Sequence, residues 1–77
     1  MKLTEGDIGH IYCINSMQVE ERIMRRLEAL GINEGAFIKV LNKKKGALIV
    51  KVRSTRFAVG QNITDGIDVK EAGGTNE

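Results

Sequence analysis

The chain has 77 residues, a formal net charge of +2 and no run of about 18 apolar residues. A chain of this length forms a single domain around one small core, which leaves little room for a deep catalytic cleft. It lacks the basic start and apolar segment of a signal peptide, so we expect a cytoplasmic protein that does not insert into a membrane. Mixed charge at a low net value is untypical of a dedicated nucleic-acid binder, and no nucleic-acid partner is expected.

The first predicted element is a strand that follows a short lead-in. Leu3 is expected to enter the core, and residues 5–7 (EGD) are expected to turn the chain. Residues 8–14 (IGHIYCI) are rich in β-branched and aromatic side chains, which favours a strand.

One amphipathic helix is predicted over residues 15–30, with Asn15 or Ser16 as its N-cap. Its apolar residues recur at helical spacing. They are Val19, Ile23, Leu27 and Leu30. Gly31 is the natural left-handed residue just past the helix, and Ile32 is expected to fold back on the last turn in a Schellman ending.

Short antiparallel strands are predicted for the rest of the chain. Gly35 ends a turn, and residues 43–46 (KKKG) have the pattern of a hairpin. Alternation places Ile38 and Val40 on one strand face. Residues 60–66 are expected to form an irregular segment or a single helical turn. The predicted strands are 8–14, 36–42, 47–53, 56–59 and 67–69.

These elements predict a mostly β fold, a small SH3-like barrel of about five antiparallel strands with one α-helix inserted after the first strand. The barrel is expected to occupy residues 1–71. An OB-type barrel is the nearest alternative, but its helix usually follows the third strand. Residues 72–77 (AGGTNE) have too few apolar side chains to pack, which predicts a flexible tail.

The potential metal ligands and catalytic groups are sparse. His10 and Cys13 are the strong soft-metal ligands, and their spacing places them on opposite faces of a strand. We therefore predict no metal site or cofactor within one chain, with a site shared between two copies as the alternative. The carboxylates are scattered and no nucleophile–base set is present, so we predict no catalytic residue and no enzyme.

A partner-binding surface is the favoured functional hypothesis. If Phe37, Leu41 and Ile49 point outward, they form an apolar patch of the kind that marks protein contacts. Burial under the helix or under the N-terminal segment is the equal alternative. Arg26 lies at the edge of the helix's apolar stripe, where it could anchor the structure or contact a partner. The residues predicted for this surface are Arg26, Phe37, Leu41, Ile49 and Arg56.

A second surface is basic. The hairpin tip at 43–45 is formed by lysines, with Lys51, Arg53 and Arg56 on the strands behind it. These residues could contact phosphates or anionic lipid headgroups, but no aromatic platform accompanies them for stacking bases. A soluble hairpin protected against edge pairing is the simpler interpretation.

Two stretches resemble the FeoA family of small accessory proteins of bacterial ferrous-iron uptake. They are residues 25–40 (RRLEALGINEGAFIKV) and 52–69 (VRSTRFAVGQNITDGIDV). The matches include Gly31 and Gly35, which follow an Arg-rich helix end. They also include residues 56–59 (RFAV), in which an arginine is followed by apolar residues. The chain departs from the family pattern at Glu34, where Pro is frequent, and near Ser54 and Gly66.

The resemblance implies an SH3-like barrel that binds the cytosolic GTP-binding part of the membrane ferrous-iron transporter FeoB and modulates uptake. The same fold forms the C-terminal domain of metal-dependent repressors, so a transition-metal-sensing domain remains one alternative. A small nucleic-acid-binding barrel is the other. Weak self-association is compatible with all three.

Overall fold

The computed structural model describes residues 1–72, which form one five-stranded antiparallel sheet with one main helix. The predicted mostly β class is confirmed. In chain order the elements are a 3₁₀ turn (Leu3–Glu5), β1 (Ile11–Met17), α1 (Glu21–Ala29), β2 (Phe37–Lys44), β3 (Ala47–Val52), β4 (Thr55–Gly60), α2 (Gln61–Thr64) and β5 (Ile67–Glu71). The strand order in the sheet is β4-β3-β2-β1-β5.

The core is built from alternate residues of the strands, as the period-two pattern predicts. Leu3 plugs one end of it and is fully buried, as predicted. The buried strand residues are Tyr12, Ile14, Met17, Ile38, Val40, Leu48, Val50, Val52, Val59, Ile67 and Val69. The neighbours of these residues along each strand point outward, so the curved sheet has one apolar and one largely polar side.

The predicted boundary between β1 and the helix is wrong. Asn15 and Ser16 lie within β1, where Ser16 pairs with Asp68 of β5 across a register shift. The helix begins at Glu21, and no side chain caps its start. Long-range pairing with β5 extends the strand through residues whose local preference is to cap a helix. At the other end, Ile8 was predicted to lie in the strand but stands in a turn with 54% of its surface exposed.

Helix α1 is held to the core mainly by one side chain. Leu27 is the buried residue of this helix, and Ile23 and Met24 are partly buried. Leu30, predicted to complete the apolar stripe, is 42% exposed. The stripe is therefore narrower than its sequence pattern indicates.

The predicted Schellman ending is confirmed. Gly31 has φ +88°. Its amide donates to the Glu28 carbonyl at 3.0 Å, and the Ile32 amide donates to the Leu27 carbonyl at 2.9 Å. These two bonds satisfy carbonyls that a helix end leaves free, and they turn Ile32 into the core, where it is fully buried.

The predicted turns lie close to their expected places. Gly35 and Gly46 have φ +88° and +77°, so each supplies a left-handed residue just before a strand. The segment at 60–66 contains the single helical turn α2. The predicted flexible tail begins at Ala72, whose amide donates a hydrogen bond of 3.2 Å to the Ile11 carbonyl. Residues 73–77 lie outside the described part of the chain.

A candidate protein-binding face

The outward side of strands β2, β3 and β4 carries three cations in register. Lys39 pairs with Lys51 across β2 and β3, and Lys51 pairs with Arg56 across β3 and β4. Like charges directly opposite one another in a sheet are destabilising. The sequence of this sheet therefore places repulsion at its centre.

Phe37 is the exposed aromatic residue of the same side. It begins β2 and is 61% exposed. Its backbone partner in β1 is Cys13, and Ile11, two residues earlier in β1, pairs with Lys39 and is 37% exposed. Apolar and cationic side chains therefore share one surface.

Arg53 borders this surface from the turn between β3 and β4. It adopts φ +59°, a left-handed conformation that is uncommon for a residue with a side chain. Its guanidinium lies over Gly31, where an added Cβ would be 3.7 Å from Nε. A cation placed there stabilises the negative C-terminal end of α1.

Phe37 and Arg53 separate two shallow depressions. One, of about 310 Å³, is lined by both residues with Ile11, Lys39 and Lys51. The other has the same pair on its wall, together with the 33–36 turn and Val52. We call the whole surface the basic sheet face, and its residues are Ile11, Phe37, Lys39, Lys51, Arg53 and Arg56.

The charge of the chain is segregated along the sequence. Residues 35–64 contain seven of the 12 cationic residues and none of the ten acidic ones. The remaining five cations and ten acids give the rest of the chain a charge of −5. Within residues 1–72 the ion pairs are Met1–Asp68 and Glu21–Arg25, so no cation of the basic sheet face is neutralised there.

The structure brings together some of the five predicted site residues and not others. Phe37 and Arg56 belong to the basic sheet face. Ile49 is half-buried and pairs with Ala58 of β4, and Leu41 is half-buried at a register shift of β2. Lys39 and Lys51 lie between these two residues and Phe37, so the apolar patch is interrupted by charge. Arg26 is exposed on α1, and its side chain makes no hydrogen bond or ion pair within residues 1–72.

Sequence reasoning missed Ile11 and Lys39 as members of this face. The signal that could have found Lys39 is the absence of acidic residues from 35–64, which the low net charge conceals. Ile11 is harder to find, because its exposure depends on the pairing of β1 with β2.

His10 and Cys13 do not combine into a ligand set. Cys13 is half-buried, and the exposed His10 ring stacks on Tyr12 with 6.4 Å between the ring centroids. Across residues 1–72 no three His, Cys, Asp or Glu side chains converge as a metal site would need. The helices of that same range are too short to cross a bilayer.

The strand order, the single long helix and the packed inner side define a small SH3-like β-barrel domain. The FeoA domain model matches residues 1–71. The chain therefore belongs to the FeoA family, whose members are accessory proteins of ferrous-iron transport.

Two relatives illustrate this membership. A Methanocaldococcus jannaschii protein, provisionally named Fe(2+) transport protein A, is 36% identical over 56 residues, which covers 70% of this chain and 68% of that protein. The solution structure of FeoA from Chlorobium tepidum superposes with a TM-score of 0.87 at 28% identity, over 100% of this chain and 79% of that one.

The same fold occurs within longer regulators. A manganese-dependent transcriptional repressor superposes with a TM-score of 0.85 over 94% of this chain and 41% of its own, at 17% identity. Identity this low shows a shared fold and nothing about metal binding by this chain.

Proposed function

We propose that this chain is a cytoplasmic docking protein of ferrous-iron transport that binds the cytosolic GTP-binding domain of the transporter FeoB and modulates uptake. The observation that carries the proposal is the basic sheet face, in which a 61% exposed Phe37 lies among cations that form no ion pair within residues 1–72.

The composition of this face suits contact with another protein. Aromatic residues and arginine are enriched in protein interfaces and dominate their binding energy. Phe37 lies beside Arg53, and both line the same depression. The phenyl side chain of Phe37 has only two rotatable bonds, so it loses little conformational entropy on binding.

Family membership supports the choice of partner. The FeoA family belongs to ferrous-iron transport, and Fe²⁺ is the cargo of that process rather than a resident cofactor of this chain. The residues described here offer a docking surface and no converging ligand set. A role exerted through the transporter fits both observations.

Backbone amide NMR tests the proposal directly. Isotope-labelled protein is titrated with the soluble GTP-binding domain of the cognate FeoB, once with GDP and once with a non-hydrolysable GTP analogue. We expect shifts centred on Phe37, Lys51 and Arg56 in at least one nucleotide state.

A matched pair of variants makes this experiment specific. Phe37→Ser removes the exposed aromatic side chain of the face, and Ile8→Ser removes a similarly exposed apolar side chain from the turn before β1. The first should weaken binding about tenfold or more, as expected for an interface anchor, and the second should not. Absence of shifts in both nucleotide states, or equal effects of the two variants, would contradict the proposal.

A further inference from the structure

The row Lys39–Lys51–Arg56 keeps three cations opposed on adjacent strands. An acidic residue at the central position would relieve the repulsion, and acidic residues are abundant in the rest of the chain. None occurs between 35 and 64. A row of unneutralised cations is costly in the free protein, and binding of an anion would remove that cost.

The dimensions of the row limit the size of that anion. Neighbouring strands lie about 4.8 Å apart, so the row spans roughly 10 Å across three strands. Phe37 lies two residues from Lys39 along β2, a separation of about 7 Å. An extended peptide advances about 3.3 Å per residue, so three to five of its residues cover the face.

An apolar contact site accompanies the charges. The depression of about 310 Å³ has Phe37 and Ile11 on its walls together with Lys39, Lys51 and Arg53. An aliphatic side chain placed there would contact the exposed ring of Phe37 while its acidic neighbours reached the cations. The ligand that matches all of these features is both acidic and apolar.

We infer that the basic sheet face binds a short, extended acidic protein segment that carries one apolar side chain between its acidic residues. The apolar side chain lies against Phe37 and Ile11, and the carboxylates pair with Lys39, Lys51 and Arg56. This inference rests on the proposed function only for which protein supplies the segment.

The surroundings of the face favour such a segment over a nucleic acid. A nucleic-acid interface of a single module buries about 600–1,000 Å² and continues along the phosphate backbone. Here Glu34 borders the second depression, so a long polyanion that crossed this margin would meet a negative charge. Phe37 is also the single exposed aromatic ring of the face, which is too few to stack successive bases.

The test uses a fluorescently labelled peptide in which one leucine is flanked on each side by aspartate and glutamate. Binding to the full chain is followed by anisotropy and by NMR shifts. Two matched peptides replace the acidic residues with their amides or the leucine with alanine. We expect the acidic peptide to bind at the basic sheet face and both matched peptides to bind at least about tenfold more weakly.

Two charge-reversal variants locate the site. Lys51→Glu places an anion at the centre of the row, and Lys45→Glu makes the same change of charge at the hairpin tip. The first should weaken peptide binding about tenfold or more, and the second should change it less than about twofold. Folding of both variants is checked by their NMR spectra. Lys51→Gln, which removes the positive charge without adding a negative one, should weaken peptide binding less than Lys51→Glu does.

Competing ligands complete the design. An equally charged single-stranded oligonucleotide and phosphatidylglycerol vesicles are titrated in parallel. Binding of either competitor more tightly than the peptide, or equal loss of peptide binding in Lys45→Glu and Lys51→Glu, would overturn the inference.

The inference stands and the proposed function fails if the peptide binds as expected but the FeoB domain does not. If the FeoB domain binds but the acidic peptide does not, the inference fails and the proposed function stands.

Discussion

The ring of Tyr12 lies directly against the backbone of Gly6. A Cβ added to Gly6 would stand 2.9 Å from Tyr12 Cε2, 3.1 Å from the Leu3 carbonyl oxygen and 3.2 Å from Val40 Cγ2. The Tyr12 hydroxyl accepts a hydrogen bond of 2.7 Å from the Asp7 amide, which fixes the ring in this position. The N-terminal segment, residues 1–7, is therefore held against the core by the contact between Gly6 and the buried ring of Tyr12.

Replacing Gly6 with alanine should destabilise the protein by about 1–3 kcal/mol, because the added methyl group overpacks a site walled by backbone and buried side chains. The backbone at Gly6 has φ −67°, which alanine adopts without strain, so the cost comes from packing alone. Urea unfolding of the variant measures it. In a Tyr12→Leu background the same substitution should cost less; equal costs in both backgrounds would refute this account.

Thr64→Val should cost about 1–2 kcal/mol, because it removes a buried hydroxyl without changing the side chain's shape. Thr64 is fully buried, its Oγ1 lies 2.6 Å from Thr4 Oγ1, and it donates to the Gln61 carbonyl at 3.2 Å. The bond with Thr4 connects the N-terminal segment to α2, and the bond to Gln61 lies within α2. Chemical denaturation gives the loss, and Thr55→Val, at an exposed threonine of β4, should change stability by less than about 0.5 kcal/mol. Similar costs at both positions would contradict the role assigned to Thr64.

The pKa of Asp68 is held below its ordinary value of 3.8, first by a hydrogen bond from the Asn15 side-chain amide and second by the Met1 ammonium. A lowered folded-state pKa means that the carboxylate stabilises the fold above the unfolded value. That contribution is lost as the pH falls through the folded-state pKa, below 3.8. Carbon-13 titration of the Asp68 carboxyl should show an upward shift of its pKa in Asn15→Ala. Asn42→Ala, at an exposed asparagine of β2, should leave that pKa unchanged.

Lys51→Glu should stabilise the fold although it weakens binding at the basic sheet face. The substitution converts two opposed cation pairs, with Lys39 and with Arg56, into pairs of opposite charge. Each pair contributes about 0.2–1 kcal/mol, so the two pairs together should raise the melting temperature by roughly 2–16 °C. Lys51→Gln should give about half of that rise, and added salt should reduce both. A lowered melting temperature would show that the row is not repulsive.

Most of the sheet could be predicted because burial imposes a period of two on each strand. Ile38 and Val40 in β2 and Ile67 and Val69 in β5 are buried as their alternation predicts. Gly31 was predictable because a helix end that turns into the core needs a left-handed residue.

The end of β1 could not be predicted from local sequence. Asn15 and Ser16 are good helix caps, but the pairing of β1 with a strand more than 50 residues later decides their conformation: Ser16 pairs with Asp68, and Asn15 is the extra residue at the register shift. The basic sheet face was predicted only in part for a related reason. Phe37 and Arg56 stand out individually, whereas the row through Lys39 and Lys51 exists only once the strand register aligns three separate segments.

The attachment of α1 by Leu27 gives the molecule two levels of local stability. A helix of nine residues is too short to persist alone in water, and this one has a single buried side chain and an uncapped start. Its amide protons should exchange with solvent through a local opening that leaves the five strands paired. The amides of the central strands should exchange only when the whole domain unfolds. We therefore expect Arg26 to lie on a segment that opens and closes as a small cooperative unit, separate from the larger unit that the sheet forms.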